Sequence, residues 1–248
     1  MRRYPAPYQV SYSFGPGALS PAIKALIWAN VAMYLLALAV PSIVVYLGLL
    51  PAAVITRFFF WQPVTYMFLH EGLLHLLFNM LALWMFGTEL ERTWGTRFFL
   101  RYYAVTGLGA AATTIVLSLL PLPFSDALYL SLTVGASGAI YGLLLAYGLY
   151  FPNRPIYMYL LFPIPAKYFV LIVGAVALLS SIGGGGGGVA HTAHLGGLVV
   201  GYVYLKGRRG NPLAALEYRY VKWRMNRLRR KFEVHSGGRR DDWDRRVH

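Results

Sequence analysis

Six apolar runs, each closed by proline, glycine or charge, recur along the chain, and each approaches the roughly 20 mostly apolar residues that a membrane-spanning helix needs. The first opens at Ser20-Pro21, a capping residue followed by proline at the first helical position, and runs to Val40 before Pro41. The others are predicted over 74–87, 98–120, 137–150, 168–182 and 191–205. Several are short for a complete span, which predicts helices buried within a bundle or beginning below the membrane surface. The stretch 41–64 is too long and too apolar for a simple connection and is expected to fold partly into the outer interface. The pattern therefore predicts an all-α polytopic membrane protein built as a six-helix bundle.

Composition supports that reading. The chain has 248 residues, of which 57% are hydrophobic and only 13% charged, and its mean hydropathy is +0.51. A soluble domain carries more charge and less apolar surface. The chain contains no cysteine, which excludes disulfides, thiolate metal sites and a cysteine nucleophile. Covalent chemistry would have to use oxygen or nitrogen. The start MRRYPAPYQVSYSF lacks the short apolar core of a cleavable signal peptide, so the first span is expected to act as its own insertion signal.

Charge sets the orientation. With the N-terminus cytoplasmic, Arg57 alone among the 23 Lys and Arg residues falls in an outer connection; all the rest lie inside or at inner helix ends. The net charge of +14 is thus mostly a topology signal and needs no nucleic acid to explain it. Three regions follow: a cytoplasmic segment 1–20, a membrane-embedded domain 21–206 and a basic cytoplasmic tail 207–248. In the tail, Arg219, Lys222, Arg224, Arg227, Arg229, Arg230 and Lys231 alternate with Leu216, Tyr220, Trp223, Leu228 and Phe232. That spacing predicts an amphipathic basic helix on anionic headgroups, with a protein or nucleic-acid partner as the alternative. The last dozen residues are expected to be disordered.

Candidate chemistry centres on GASGAIYG, residues 135–142. Ser137 opens the fourth span, which runs from outside to inside, so its hydroxyl lies just below the outer face. Tyr141 lies four residues on and shares its helical face. Gly138 and Gly142 form a G-x-x-x-G pair that lets another helix approach closely. The sixth span, HTAHLGGLVVGYVY, offers Gly197 and Gly201 at the same spacing and runs in the same direction. If the glycine pairs meet in register, Ser137 and His194 differ in depth by roughly 3 Å. A hydroxyl beside an imidazole is the arrangement that nucleophilic catalysis requires. Small-residue packing alone would explain the glycines, but an intramembrane histidine is costly and is usually functional. In the second span, His75 and Asn79 lie one turn apart and could donate to an oxyanion, with the Ser137 N–H as a third donor.

In these residues the sequence resembles the rhomboid family of intramembrane serine proteases. Its GxSG motif corresponds to Gly135-Ala136-Ser137-Gly138, and its AHxxG motif to Ala193-His194-Leu195-Gly196-Gly197. An HxxxxHxxxN pattern falls on His70, His75 and Asn79, and Glu91-Arg92 and Gly95-Thr96-Arg97 resemble the elements after the second helix. The resemblance implies a Ser137–His194 dyad with no third acid and no cofactor, an oxyanion site at His75 and Asn79, and Tyr141 stacked on the catalytic histidine. It implies single-pass transmembrane proteins as substrates. His70 is expected to hydrogen-bond near the site, and His191 remains an alternative base. Asp126 is read as a solvated loop residue. The short N-terminal segment suggests a prokaryotic cytoplasmic membrane.

Other readings compete. HEGLLH has one residue too many for an HExxH zinc signature, which would put His70 and His75 about 140° apart on a helix. A zinc cluster of His70, His75, His191 and His194 is chemically sound but leaves the GASG notch unexplained. A transporter would be expected to show two related halves, and no internal repeat is present. An inactive relative would lack a dyad residue, and both are here. The run 183–188, six glycines, reads either as a lid over the site or as a permissive linker.

Overall fold

The computed structural model describes residues 16–158, 162–182 and 188–209. The chain divides after Leu205 into two units, and the elements below belong to the first, apart from the final turn of the last helix. The glycines at 183–187 and the tail beyond 209, on which the lid and amphipathic-helix expectations rest, lie outside the described residues.

Helix α1 spans Pro21–Ala39. Three short helices follow in the outer connection, α2 (Ile43–Leu47), α3 (Pro51–Thr56) and α4 (Gln62–Thr65), the last running into a 3-10 turn at Tyr66–Phe68. The second expected span is longer than its apolar run. Helix α5 (Leu73–Ala82) passes through a π turn at Leu83–Gly87 into α6 (Thr88–Trp94). Helix α7 is Thr96–Ser118, α8 is Ser125–Leu130 and α9 is Ser137–Tyr150. A hairpin of β1 (Pro155–Met158) and β2 (Phe162–Pro165) leads to α10 (Ala166–Ile182), and α11 spans Gly188–Arg209. The antiparallel hairpin, in register from Pro155 against Pro165 to Met158 against Phe162, departs from the all-α expectation. It fills the connection between the spans expected at 137–150 and 168–182.

Two helices, Pro21–Ala39 and Leu73–Trp94, are long and apolar enough by length and composition to cross a membrane; Ser137–Tyr150 and Ala166–Ser180 are apolar but shorter. Helix α7 is long, yet its buried positions include Tyr102, Tyr103, Thr106, Gly107 and Thr114. A helix surrounded by other helices satisfies its polar groups there, so hydropathy does not report its place. The outward faces of the other helices are strongly apolar, with Trp28, Leu74, Phe78, Leu171 and Leu179 each more than two-thirds exposed. Surface of that kind suits lipid and would be a liability in water.

Buried polar groups lock the ends of the bundle. The Glu91 carboxylate accepts from the N–H groups of Ala22 at 3.0 Å and Ile23 at 3.3 Å, from Thr96 Oγ1 at 2.6 Å and from Ser20 Oγ. It thus caps the free N–H groups of α1 from another helix and sets a negative charge at the positive end of that helix. Arg92 beside it donates to the carbonyls of Pro16 and Ala18. At the other end, Gln62 is fully buried. Its amide accepts from Leu50 N–H at 3.0 Å and donates to the carbonyls of Val45 and Tyr46. Thr65 Oγ1 donates to the Leu47 carbonyl at 2.6 Å. The outer connection is therefore a hydrogen-bonded structure, and Leu49 pairs with Thr133 in an antiparallel bridge that ties it to the strand-like lead into Ser137.

Candidate active site

Ser137 is the first residue of α9, and the chain reaches it through a glycine that only glycine can replace without strain. Gly135 has φ +127°, a conformation side chains rarely adopt. A Cβ at Gly135 would also stand 3.0 Å from Cε1 and Nε2 of His75 and 3.6 Å from Ser137 Oγ. Leaving out that side chain keeps open a space bordered by the hydroxyl and the His75 ring. The Gly135 N–H donates to the Tyr66 carbonyl at 2.9 Å, and the Tyr66 hydroxyl donates to the Gly107 carbonyl at 2.8 Å. Tyr66 thereby braces the turn against α7.

The glycine pairs meet in the expected register. A Cβ on Gly197 would be driven into the Gly138 carbonyl, and one on Gly201 would lie 3.4 Å from the Gly142 Cα. Helix α7 joins the contact as a third partner: a Cβ on Gly138 would clash with Ala110, one on Gly142 with Thr106, and one on Gly196 with Thr113. The sequence pattern named the α9–α11 pair and missed α7, whose contribution rests on Ala and Thr residues that carry no spacing signal of their own. Close backbone approach in the absence of a hydrophobic drive between helices depends on such small residues.

This packing brings His194 Nε2 to 2.8 Å from Ser137 Oγ, a hydrogen-bond separation. In the tautomer with its proton on Nδ1, the ring accepts the serine O–H at Nε2. The Tyr141 ring stacks on the imidazole with centroids 4.1 Å apart and planes 6° from parallel. One face of His194 is thus held flat and one edge is turned to the hydroxyl. The His191 ring stands edge-on to His194 with centroids 5.6 Å apart.

His75 is half-buried at the start of α5, and Asn79 is buried one turn below it. The Asn79 amide donates one N–H to the His75 carbonyl at 2.8 Å, which anchors the side chain and leaves its second N–H. His70 precedes the helix, which begins at Leu73, as the expected span at 74–87 implies, so the angle that a helical HEGLLH would give between His70 and His75 does not apply. Their rings instead pack edge-to-face with centroids 4.9 Å apart. Neither His70 ring nitrogen meets hydrogen-bond geometry with the described residues. No group of three or more His, Asp or Glu residues among the described residues is arranged to hold a metal ion. Asp126 is exposed in the first turn of α8.

Gln62 and Tyr66 support the site without having been singled out in the sequence. A glutamine inside an apolar, proline-flanked stretch was the available signal, since a buried amide must be hydrogen-bonded.

A hydroxyl with a ring nitrogen in bonding distance, beside a space bordered by the His75 ring, is an arrangement chemically able to attack a carbonyl. The chain is similar to the rhomboid protease AarA of Providencia stuartii, at 33% identity over 155 residues, 57% of this chain and 53% of that protein. It is 34% identical over 149 residues to the rhomboid protease GluP of Bacillus subtilis, covering 57% of this chain and 25% of that protein. Rhomboid protein 1, mitochondrial, of Saccharomyces cerevisiae is 32% identical over 144 residues, 55% and 38% of the two chains. The matches span about half or less of those relatives' lengths. The Rhomboid domain model matches residues 57–209, well over half of the chain. The chain therefore belongs to the rhomboid family, whose members are helical polytopic membrane proteins.

Proposed function

We propose that this protein is an intramembrane serine protease that hydrolyses peptide bonds in or near the transmembrane segment of single-pass membrane proteins. The observation that carries the reading is the 2.8 Å approach of His194 Nε2 to Ser137 Oγ. Relatives named as rhomboid proteases support it.

Ser137 attacks the scissile carbonyl as His194 takes the hydroxyl proton at Nε2. The oxyanion that forms is met by the His75 ring, the second N–H of Asn79 and the Ser137 backbone N–H. His194 returns the proton to the leaving amine, and water hydrolyses the acyl-enzyme with the same base. Tyr141 orients the imidazole in place of a carboxylate. Gly135, Gly138 and Gly197 keep the partners close, and His70 packs behind His75. A peptide carbonyl inside a helix is already hydrogen-bonded, so bonds near Gly or Pro at the outer membrane boundary are the favoured substrates.

Six helices, α1, α5 with α6, α7, α9, α10 and α11, cross the membrane, with both termini cytoplasmic and the site opening to the outer face of a prokaryotic cell membrane. At about 1.5 Å per residue, the 14 residues of α9 cover roughly 21 Å, less than the ~30 Å hydrocarbon core. With its inner end at the cytoplasmic boundary, Ser137 lies below the outer surface, and water enters through a polar cavity. The basic tail rests on anionic headgroups.

The test is covalent labelling of the detergent-solubilised protein by a fluorophosphonate probe, beside Ser137→Ala and His194→Ala. Labelling of the parent that disappears in both variants is expected. A folded parent that does not label would overturn the reading in favour of an inactive, membrane-segment-binding member of the family.

A further inference from the structure

His191 and His194 stand on α11 three residues apart, with rings edge-to-face and centroids 5.6 Å apart. Both rings are half-buried. The Nδ1 atom of each is buried and has no hydrogen-bond partner among the described residues. Polar atoms left in that state on two neighbouring rings are costly in an apolar setting, and an ordered water is the usual means of satisfying them. The two rings are neighbours on one helix, no direct bond joins them, and one water can bridge groups placed in this way.

We infer that His191 is a positioning residue for His194, acting through a water that bridges the two Nδ1 atoms. The inference rests on the dyad reading proposed above. Proton placement makes the bridge one-directional. For Nε2 of His194 to accept the serine proton, Nδ1 must carry a hydrogen, and that N–H needs an acceptor. The water accepts it and donates to His191 Nδ1, whose own proton sits on Nε2. When His194 takes the Ser137 proton it becomes an imidazolium, and the water oxygen, polarised by His191, stabilises the charge until the proton passes to the leaving amine. No proton leaves the pair. Tyr141 holds the face of the ring and His191 fixes its rotation about that stack, the task a carboxylate performs in a three-residue constellation.

The experiment measures fluorophosphonate labelling of full-length detergent-solubilised protein, separating the maximal inactivation rate from the probe's apparent affinity, for the parent, His191→Ala and His191→Gln. Thermal unfolding is followed on the same samples. His191→Ala is expected to lower the maximal rate about tenfold or more at unchanged apparent affinity, within the range of orienting effects on a general base. His191→Gln, which still offers an acceptor, should stay within about threefold of the parent. Equal rates in the parent and His191→Ala would overturn the inference alone. So would equal losses in both variants with matching falls in melting temperature, which would mark a packing role. A parent that fails to label at Ser137 overturns the dyad reading and this inference with it.

Discussion

Gly197 on α11 faces the carbonyl oxygen of Gly138 on α9 so closely that a methyl group on its Cα would overlap that oxygen. The neighbouring atom is backbone and cannot rotate aside, so the helices must separate. Gly197→Ala should destabilise the protein by about 1–3 kcal/mol, the usual range for overpacking. It should also pull His194 from Ser137 and abolish fluorophosphonate labelling. Thermal unfolding in detergent together with labelling checks both; a variant with parental stability and labelling would show that the two helices do not meet in this register.

Gly135 combines a φ of +127° with a Cβ position 3.0 Å from the His75 ring. Gly135→Ala should cost roughly 1–3 kcal/mol through backbone strain and fill the space between hydroxyl and imidazole. The expected result is a labelling rate reduced more than the loss of folded protein accounts for. Labelling that falls only in step with stability would contradict the role given to that space.

The stack of Tyr141 on His194 separates ring from hydroxyl. Tyr141→Phe keeps the aromatic face and should label within about twofold of the parent, whereas Tyr141→Ala frees the imidazole and should label about tenfold more slowly. Similar rates for the two variants would assign the effect elsewhere.

Far from the site, Glu91 accepts from Ser20, Ala22, Ile23 and Thr96. Glu91→Ala leaves several buried donors without an acceptor and should lower stability by about 3 kcal/mol. Glu91→Gln, which retains one carbonyl oxygen, should lose less. Chemical denaturation in mixed micelles would order the three proteins. An unchanged midpoint in Glu91→Ala would remove the carboxylate from the account of how α1 is held.

Much of the architecture is legible locally. Pro21 after Ser20, the glycines at 138, 142, 197 and 201, and the apolar runs between breaks each act through neighbours within a turn or two of chain. Helix α9 accordingly occupies its predicted residues, and α1 ends one residue short of its expected limit. Where the reading fell short, the determinant was remote. The second span continues past its apolar run to Trp94 because Glu91 is buried against α1, 71 residues from Ser20 in the chain. The outer connection folds because Gln62 gathers backbone groups from Val45, Tyr46 and Leu50. The hairpin at 155–165 depends on pairing that single-strand composition does not announce.

By itself, then, the sequence determined the helices, the small-residue faces on which they meet, and the serine and histidines available for chemistry, because periodicity, capping and glycine placement are properties of short stretches. Only the tertiary structure decided that Ser137 and His194, 57 residues apart, stand 2.8 Å from each other, that Tyr141 lies flat on the imidazole, and that His70, ahead of the helix, packs edge-on against His75. Those distances are set where α7, α9 and α11 converge. There, backbone contact at glycine fixes helix separation to a fraction of an ångström, and buried polar groups must find partners across elements that no local pattern joins.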